Sequence, residues 1–262
     1  MENKLYGFSP DEIEKKVLEE IQFYVTTSYA CGYIEDRISQ SLVATPHHLI
    51  SQTHYDDLIK KGFRRSGKFT YKPYCELCTA CIPIRINVKH FSNSKNFKRI
   101  IKKHQFLQAS VLPLSFNEEH FQLYLKYQKN RHEKNKTTDD DVNQYSEFLL
   151  QSNIDSRLIQ FKDQEKLKIV SFVDVINDGI SAVYTFFDTE DKSFSYGTYS
   201  ILWLINWCIE KKLDYVYLGY WIKESKKMNY KTNFKPFELF LNNEWRSFNS
   251  EHDTIQLLNN IK

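Results

Sequence analysis

Three cysteines fall within the stretch FRRSGKFTYKPYCELCTACIPIR (63–85), at Cys75, Cys78 and Cys81. Two x-x spacings in series put three soft ligands on one tight loop. Tetrahedral zinc and iron–sulfur clusters both take four thiolates, or three with an imidazole. Cys31, on the aromatic-Gly turn Ser28-Tyr-Ala-Cys31-Gly-Tyr33, is the expected fourth. The competing reading is a set of inert buried thiols. Serial x-x spacings seldom arise from packing, so the expectation is a metal ion or cluster on Cys31, Cys75, Cys78 and Cys81. No histidine stands at a standard spacing from the loop, which leaves zinc and an iron–sulfur cluster both open. Cys208 lies on the apolar side of a helical pattern and reads as core.

Arg64, Arg65, Lys72 and Arg85 flank the cysteines. Arginine forms bidentate pairs with carboxylates and phosphates, so these residues could grip an acidic ligand; the alternative is a solvated basic face. The run Lys89, Lys95, Lys98, Arg99, Lys102 and Lys103 contains no acid and, with the first group, makes a candidate surface for a nucleic-acid backbone. The stretch Tyr217 to Lys231 interleaves Tyr220, Trp221 and Tyr230 with Lys227 and Lys231. Aromatic platforms among lysines suit a nucleotide or acceptor-end site, against the plainer reading of an amphipathic helix with exposed lysines. Arg131-His132 and Asp174 are candidate acid–base groups. There is no Walker loop, no G-x-G-x-x-G and no G-x-S-x-G, and Gly197 stands alone at a strand-to-helix turn, so no nucleotide cofactor is expected.

These residues need elements to hold them. Ile21 to Val25 reads as a strand, and Thr53 to Lys61 as a short helix with Thr53 as N-cap and Gly62 as its stop. Phe63 to Tyr71 reads as two short strands around Ser66-Gly67. Ile84, Ile86 and Val88 alternate with Arg85, Asn87 and Lys89, the pattern of a half-buried strand. Residues near 90–110 read as a linker or domain join, dividing a region 1–95 from a region 96–262. Ser115-x-x-Glu118 resembles a capping box before a helix through Phe121, Leu123, Tyr124 and Tyr127. A polar loop with Asp139, Asp140 and Asp141 leads to a second helix through Tyr145, Phe148 and Leu149. Ser156–Phe161, Leu167–Ile176 and Ile180–Phe187 are strand-like, with a hairpin turn at Asp178-Gly179. A helix over Thr198–Lys211 and a strand over Asp214–Gly219 follow. A hairpin, then a helix, then a strand implies an α+β fold with a mixed sheet rather than a dinucleotide-binding unit.

The totals agree. The chain has 262 residues, 41% hydrophobic and 26% charged, which is ample for a proper core. A net charge of +3 is too small to argue for nucleic acid by itself, so the argument rests on local clustering. No run approaches a membrane span and the start has no signal-type apolar segment, which leads us to expect a cytoplasmic protein without a membrane partner. Five cysteines do not make a disulfide framework.

Four blocks, GFRRSGKFTYKPYCELCTACIPIR (62–85), DGISAVYTFFD (178–188), YGTYSILW (196–203) and YLGYWIKESKKMNYKTNFKP (217–236), resemble the bacterial aminoacyl-tRNA–protein transferases, the leucyl branch of the arginyltransferase family. They stand in the family's order and spread over most of the chain. The resemblance implies an N-terminal cysteine-bearing region joined to a GNAT-like acyltransferase domain. It also implies transfer of leucine, or arginine in relatives, from charged tRNA to proteins beginning with Asp or Glu, which marks them for N-degron degradation. One departure is Cys31-Gly-Tyr-Ile34, where arginyl relatives carry a second cysteine. Another is the Lys/Thr-rich segment after Arg131-His132, which is Gly-rich in relatives.

Such a reaction gives the residues roles. An aminoacyl ester is already activated, so the enzyme aligns it with a deprotonated amine and stabilises the oxyanion. Lys95, Lys98, Arg99, Lys227 and Lys231 would meet tRNA phosphates. Arg64, Arg65, Lys72 or Arg85 would hold the acidic side chain, and Asp174, Tyr184, Tyr199 and Tyr220 would line the reacting centre. The competing classes are a non-catalytic, metal-bearing tRNA-binding protein and a coenzyme-A-dependent acetyltransferase, the latter disfavoured by the missing phosphate loop.

Overall fold

The computed structural model describes residues 21–131, 141–190, 192–250, 252, 253 and 256. His132, Asp139 and Asp140 lie outside them. The fold is α+β, built on a large mixed sheet and a small antiparallel one.

The small sheet, order β1-β4-β6-β5, comprises β1 (Gln22–Val25), β4 (Ser41–Thr45), β6 (Phe69–Pro73) and β5 (Arg64–Ser66). A two-stranded ribbon of β2 (Tyr29–Ala30) and β3 (Ile38–Ser39) sits between β1 and β4 in the chain. Helix α1 (Gln52–Lys60) begins at Ser51, whose side chain caps His54 N–H, two residues before the cap expected at Thr53. Its Tyr55, Leu58 and Ile59 join Phe63, Ile176 and Tyr217 in an apolar cluster that seals the small sheet onto the large one.

Among the described residues, the large sheet has eight strands in the order β14-β13-β7-β12-β11-β10-β9-β8. They are β7 (Ile82–Asn87), β8 (Gln108–Pro113), β9 (Ser156–Asp163), β10 (Lys166–Ile176), β11 (Gly179–Phe187), β12 (Tyr215–Trp221), β13 (Phe237–Leu241) and β14 (Glu244–Phe248). Strand β7 precedes the 95/96 division and yet lies between β12 and β13, so the cysteine loop feeds directly into the larger sheet.

Strands β10 and β12 are buried nearly throughout because both faces of the sheet are covered, which is why they read as continuous apolar runs. On one face, α2 (Lys95–Lys103) and α5 (Tyr196–Lys211) close the larger core around Ile84, Ile169, Ile180 and Leu204. On the other, α3 (Glu118–Arg131) and α4 (Val142–Tyr145), with the π turn Ser146–Leu150, cover Val170, Phe172 and Phe186.

Two expectations change in detail. Of the linker or domain join expected near 90–110, the open linker is not what forms: Ser94 caps Phe97 N–H, and Phe97, Ile100 and Ile101 give the lysine-rich segment an apolar face, so it folds as α2. The β10–β11 turn is Asn177-Asp178, and Gly179 is the first residue of β11. A Cβ there would lie 2.2 Å from the Tyr215 carbonyl oxygen, so glycine is needed for β12 to approach.

Candidate active site

Strands β11 and β12 run parallel and pair only at Gly179–Tyr215, Ile180–Val216 and Ser181–Tyr217. Beyond Ser181 they part. β11 follows β10 with a bulge between the Phe172 and Val173 pairings, while β12 follows β7 with a register shift between Tyr217 and Gly219. Each strand is held by its outer neighbour, and the inner ladder stops. The result is a wedge between Ala182–Tyr184 on one side and Leu218–Trp221 on the other, with backbone polar groups that no ladder partner satisfies.

Two buried cations enter this wedge. Arg64, 9% exposed, donates from Nη2 to the Ala182 carbonyl at 2.5 Å. Its Nη1 is buried without a hydrogen-bond partner. Gly219, at φ +78°, makes room for it, since a Cβ there would stand 2.3 Å from Nη1. Lys231, 6% exposed, donates from Nζ to the Tyr220 carbonyl at 2.5 Å. Burial, then the nearby Arg64 charge, pulls its ammonium down to about 7. Tyr220 itself is buried and donates its hydroxyl to the Gly62 carbonyl at 2.9 Å. Lys231 was expected to meet tRNA phosphate on the surface. It is instead a buried group, because the turn Asn229–Asn233 folds back on β12.

The other arginines are committed inside the protein. Arg65 and Asp174, assigned different roles from the sequence, are partners, with Nη2 2.7 Å from Oδ1. Asp174 also accepts from Tyr55 Oη at 2.9 Å and Ser156 Oγ at 2.6 Å, while Arg65 Nη1 donates to the Gly67 and Gln151 carbonyls. Both side chains are spent on joining the small sheet to β10. Arg85 pairs with Glu238 at 2.7 Å, donates to Tyr217 Oη, and lies between the rings of Tyr215 and Trp245. Lys72 is half-buried over the Phe63 ring. Tyr184 donates to Gln128 Oε1 at 3.3 Å on the α3 side of the sheet, and Tyr199 packs in the larger core against Phe161 and His104. Of the residues read as lining the centre, Tyr220 and Tyr184 stand on the two strands of the wedge, whereas Asp174 and Tyr199 do not. Sequence reasoning missed Gly219 and the strand parting; a lone glycine inside an otherwise aromatic strand was the signal available.

The cysteine loop adjoins the wedge. Cys81 lies within electrostatic reach of Lys231 and Tyr220, and Tyr33 and Tyr71 share that neighbourhood. Burial, then the neighbouring Cys31, Cys75 and Cys78, pushes the Cys81 thiol up to about 12. Cys31 moves the other way. Burial raises it, but bonds from the Ser39 side chain and the Tyr33 and Ile34 amides, with the Arg37 charge, bring it below its ordinary value. Arg37 Nη1 donates to Cys78 Sγ at 3.2 Å. The four thiols thus share one locale and suit a soft metal in donor chemistry. Among the described residues no three His, Cys, Asp or Glu side chains are arranged to hold an ion. Cys208, fully buried under β12, is core as expected.

Beside the wedge, a cavity of about 450 Å³ opens between the N-terminal ends of α2 and α5. Ser94, Asn96, Thr198, Tyr230, Phe234 and Lys235 line it. Lys95, Lys98 and Arg99 are exposed on α2 beside it, and Lys227 is exposed on the turn after β12. Tyr230 faces this cavity while the next residue, Lys231, enters the wedge. Gly197, in the first turn of α5, is explained by packing, since its Cβ would lie 3.1 Å from Phe187.

Residues 29–99 match the family described as arginine-tRNA-protein transferase, N terminus, and residues 119–241 match its C terminus. The chain belongs to the arginine-tRNA-protein transferase family. Both family segments converge on the wedge, the first supplying Arg64 and the cysteines and the second supplying β11, β12 and Lys231. Among similar proteins, aspartate/glutamate leucyltransferase of Methylobacillus flagellatus is 54% identical over 89% of this chain and 94% of its own length. The protein of the same name from Polynucleobacter necessarius is 45% identical over 90% and 96%. Among the described residues, no helix is long and apolar enough to cross a membrane.

Proposed function

We propose that this protein is an aminoacyl-tRNA–protein transferase that moves leucine from charged tRNA to the N-terminal amine of proteins beginning with Asp or Glu. The observation that carries the reading is the wedge. It is a parted parallel strand pair with a cationic floor, flanked by a cavity beside a basic helix, in a chain of the arginine-tRNA-protein transferase family whose relatives are named aspartate/glutamate leucyltransferase. The parted strands also support the GNAT-like description of the 96–262 region, with 1–95 contributing the small sheet, the cysteine loop and β7.

In this reading the aminoacyl end of the tRNA occupies the cavity by Tyr230 and Phe234, and Lys95, Lys98 and Arg99 neutralise acceptor-stem phosphates. The acceptor enters the wedge. Its neutral α-amine attacks the ester carbonyl, the new C–N bond forms, the ester C–O bond breaks, and the ribose hydroxyl leaves with the proton the amine gives up. The ester brings its own activation, so the protein's contribution is alignment and charge. Arg64 is the arginine of the original group left for the acceptor's carboxylate, because Arg65 and Arg85 are neutralised internally.

Cys31, Cys75, Cys78 and Cys81 would hold a zinc ion or iron–sulfur cluster, which would tie the Cys31–Arg37 turn to the Cys75–Cys81 loop beside the wedge. Elemental analysis and an anaerobic absorption spectrum of the purified protein distinguish the two. No nucleotide cofactor enters the reading, and a cytoplasmic location follows from its need for charged tRNA.

The experiment is direct. Protein is incubated with leucyl- or arginyl-tRNA labelled in the amino acid, plus a peptide beginning with Asp. Label in the peptide with the leucyl donor is the expected result. Tight tRNA binding without transfer from either donor would instead favour a non-catalytic tRNA-binding protein.

A further inference from the structure

We infer that Lys231 and Arg64 form one two-cation receptor for the carboxylate of the acceptor's first side chain, with Lys231 as the residue that separates Asp and Glu from Asn and Gln. The inference rests on the transferase reading above.

The geometry starts from β12. Arg64 Nη1 lies against Gly219, and Lys231 Nζ is bonded to the carbonyl of the next residue, Tyr220. The cations therefore come within a residue of each other along one strand, close enough for the charge of one to depress the other. Two like charges removed from water at that range repel. Such an arrangement persists when an anion offsets it, and an unpaired buried charge is among the costlier features a fold can carry. Among the described residues, no Asp or Glu forms an ion pair with either group. A carboxylate brought by the acceptor would offset that repulsion.

Its chemistry follows from the donors. Arg64 Nη1 has no hydrogen-bond partner, and Lys231 spends one of three ammonium protons on Tyr220. A carboxylate can accept from both at once. A primary amide of the same shape brings one acceptor oxygen and an NH₂ that would face a cation. A structural lysine needed only to tether the Tyr220 carbonyl would not require a second, unsatisfied cation beside it.

The titratable side chains within electrostatic reach of the pair include Cys81, Tyr33, Tyr55, Tyr71 and Tyr220, and none of them accepts a hydrogen bond from Arg64 or Lys231. Burial holds the Tyr33 and Tyr71 hydroxyls above their ordinary values.

The test compares wild type and Lys231→Met with labelled leucyl-tRNA and the tripeptides Asp-Ala-Ala and Asn-Ala-Ala. Wild type should favour the Asp peptide in kcat/KM. The variant should lose that preference by at least about tenfold, through a higher KM for the Asp peptide, with KM for leucyl-tRNA unchanged. Lys231→Arg, which keeps the charge, should recover part of it. If wild type transfers label and Lys231→Met keeps the Asp preference, the receptor is overturned while the transferase reading stands. If wild type transfers to neither peptide, that reading fails first. Should the variants not fold, competition on the wild type decides the matter: acetyl-Asp-methylamide must inhibit at least about tenfold better than acetyl-Asn-methylamide, and equal inhibition overturns the receptor.

Discussion

The Arg65 guanidinium meets the Asp174 carboxylate at 2.7 Å, with the two side chains 3% and 0% exposed. The pair joins residues 109 positions apart, from the edge of the small sheet to the C-terminal end of β10. Tyr55, Ser156 and two backbone carbonyls satisfy its remaining donors and acceptors. A buried pair so completely bonded is a structural joint. It fixes β5 against β10.

Breaking the joint from one side should therefore be costly. Arg65→Ala leaves Asp174 charged and dry, and Asp174→Ala does the same to Arg65, so each should lose about 3–5 kcal/mol of stability in urea unfolding. At a temperature where the variants stay folded, KM for an Asp peptide should remain within about threefold of wild type. A hundredfold rise without loss of stability would put Arg65 in the acceptor site instead.

How far the sequence could be read depended on whether a feature was local. The hairpin of β10 and β11 and the helix α5 were legible because long apolar runs and short turns decide them. The segment around Lys95 misled, because its charge density hid the spacing of Phe97, Ile100 and Ile101 that makes it a helix. The site was legible in composition but not in assignment. Arg64 and Arg65 are adjacent in the chain and extended, so they point to opposite sides of β5, one to the wedge and one to Asp174. Lys231 looks like any surface lysine until the fold places its turn over Tyr220. Nothing in a single sequence reports that tertiary event.

Gly219 offers a way to disturb Arg64 without touching its charge. Its φ of +78° disfavours any L side chain, and a Cβ would fall 2.3 Å from Nη1. Gly219→Ala should cost about 1–3 kcal/mol of stability from strain. It should also reduce kcat/KM for the Asp peptide by roughly tenfold or more, since displacing a positioned group by an ångström has that scale of effect. Unchanged transfer in a folded Gly219→Ala protein would mean that Arg64 does not need its present position.

The exposed face of α2 should govern the donor and leave the acceptor alone. Replacing Lys95, Lys98 and Arg99 with Ala removes three cations that form no ion pair among the described residues. KM for charged tRNA should rise, and the slope of log affinity against log salt should become shallower by about one unit per lost phosphate contact. KM for the peptide should hold. A salt slope identical to wild type would move the tRNA surface elsewhere, with the turn carrying Lys227 as the next place to look.

Lys231 makes a prediction about stability that is independent of any assay of transfer. Its ammonium is held near 7 in the folded protein against an ordinary 10.5, so between those values the unfolded chain binds a proton that the folded chain lacks. Stability contributed at this site therefore rises with pH across that window and is flat below it, where both states are protonated and the full cost of burying the charge is present. Lys231→Met has nothing to titrate there. The stability of the variant minus that of the wild type should be most favourable to the variant below about pH 7. It should then drift toward the wild type by up to about 1.4 kcal/mol per pH unit as the solution becomes more alkaline. Urea unfolding of the two proteins at about pH 6.5, 8 and 9.5 reads the drift directly. A difference that does not change with pH would mean that folded and unfolded Lys231 titrate alike, and the buried cation at the base of the wedge would then lack the strained charge that an incoming carboxylate relieves.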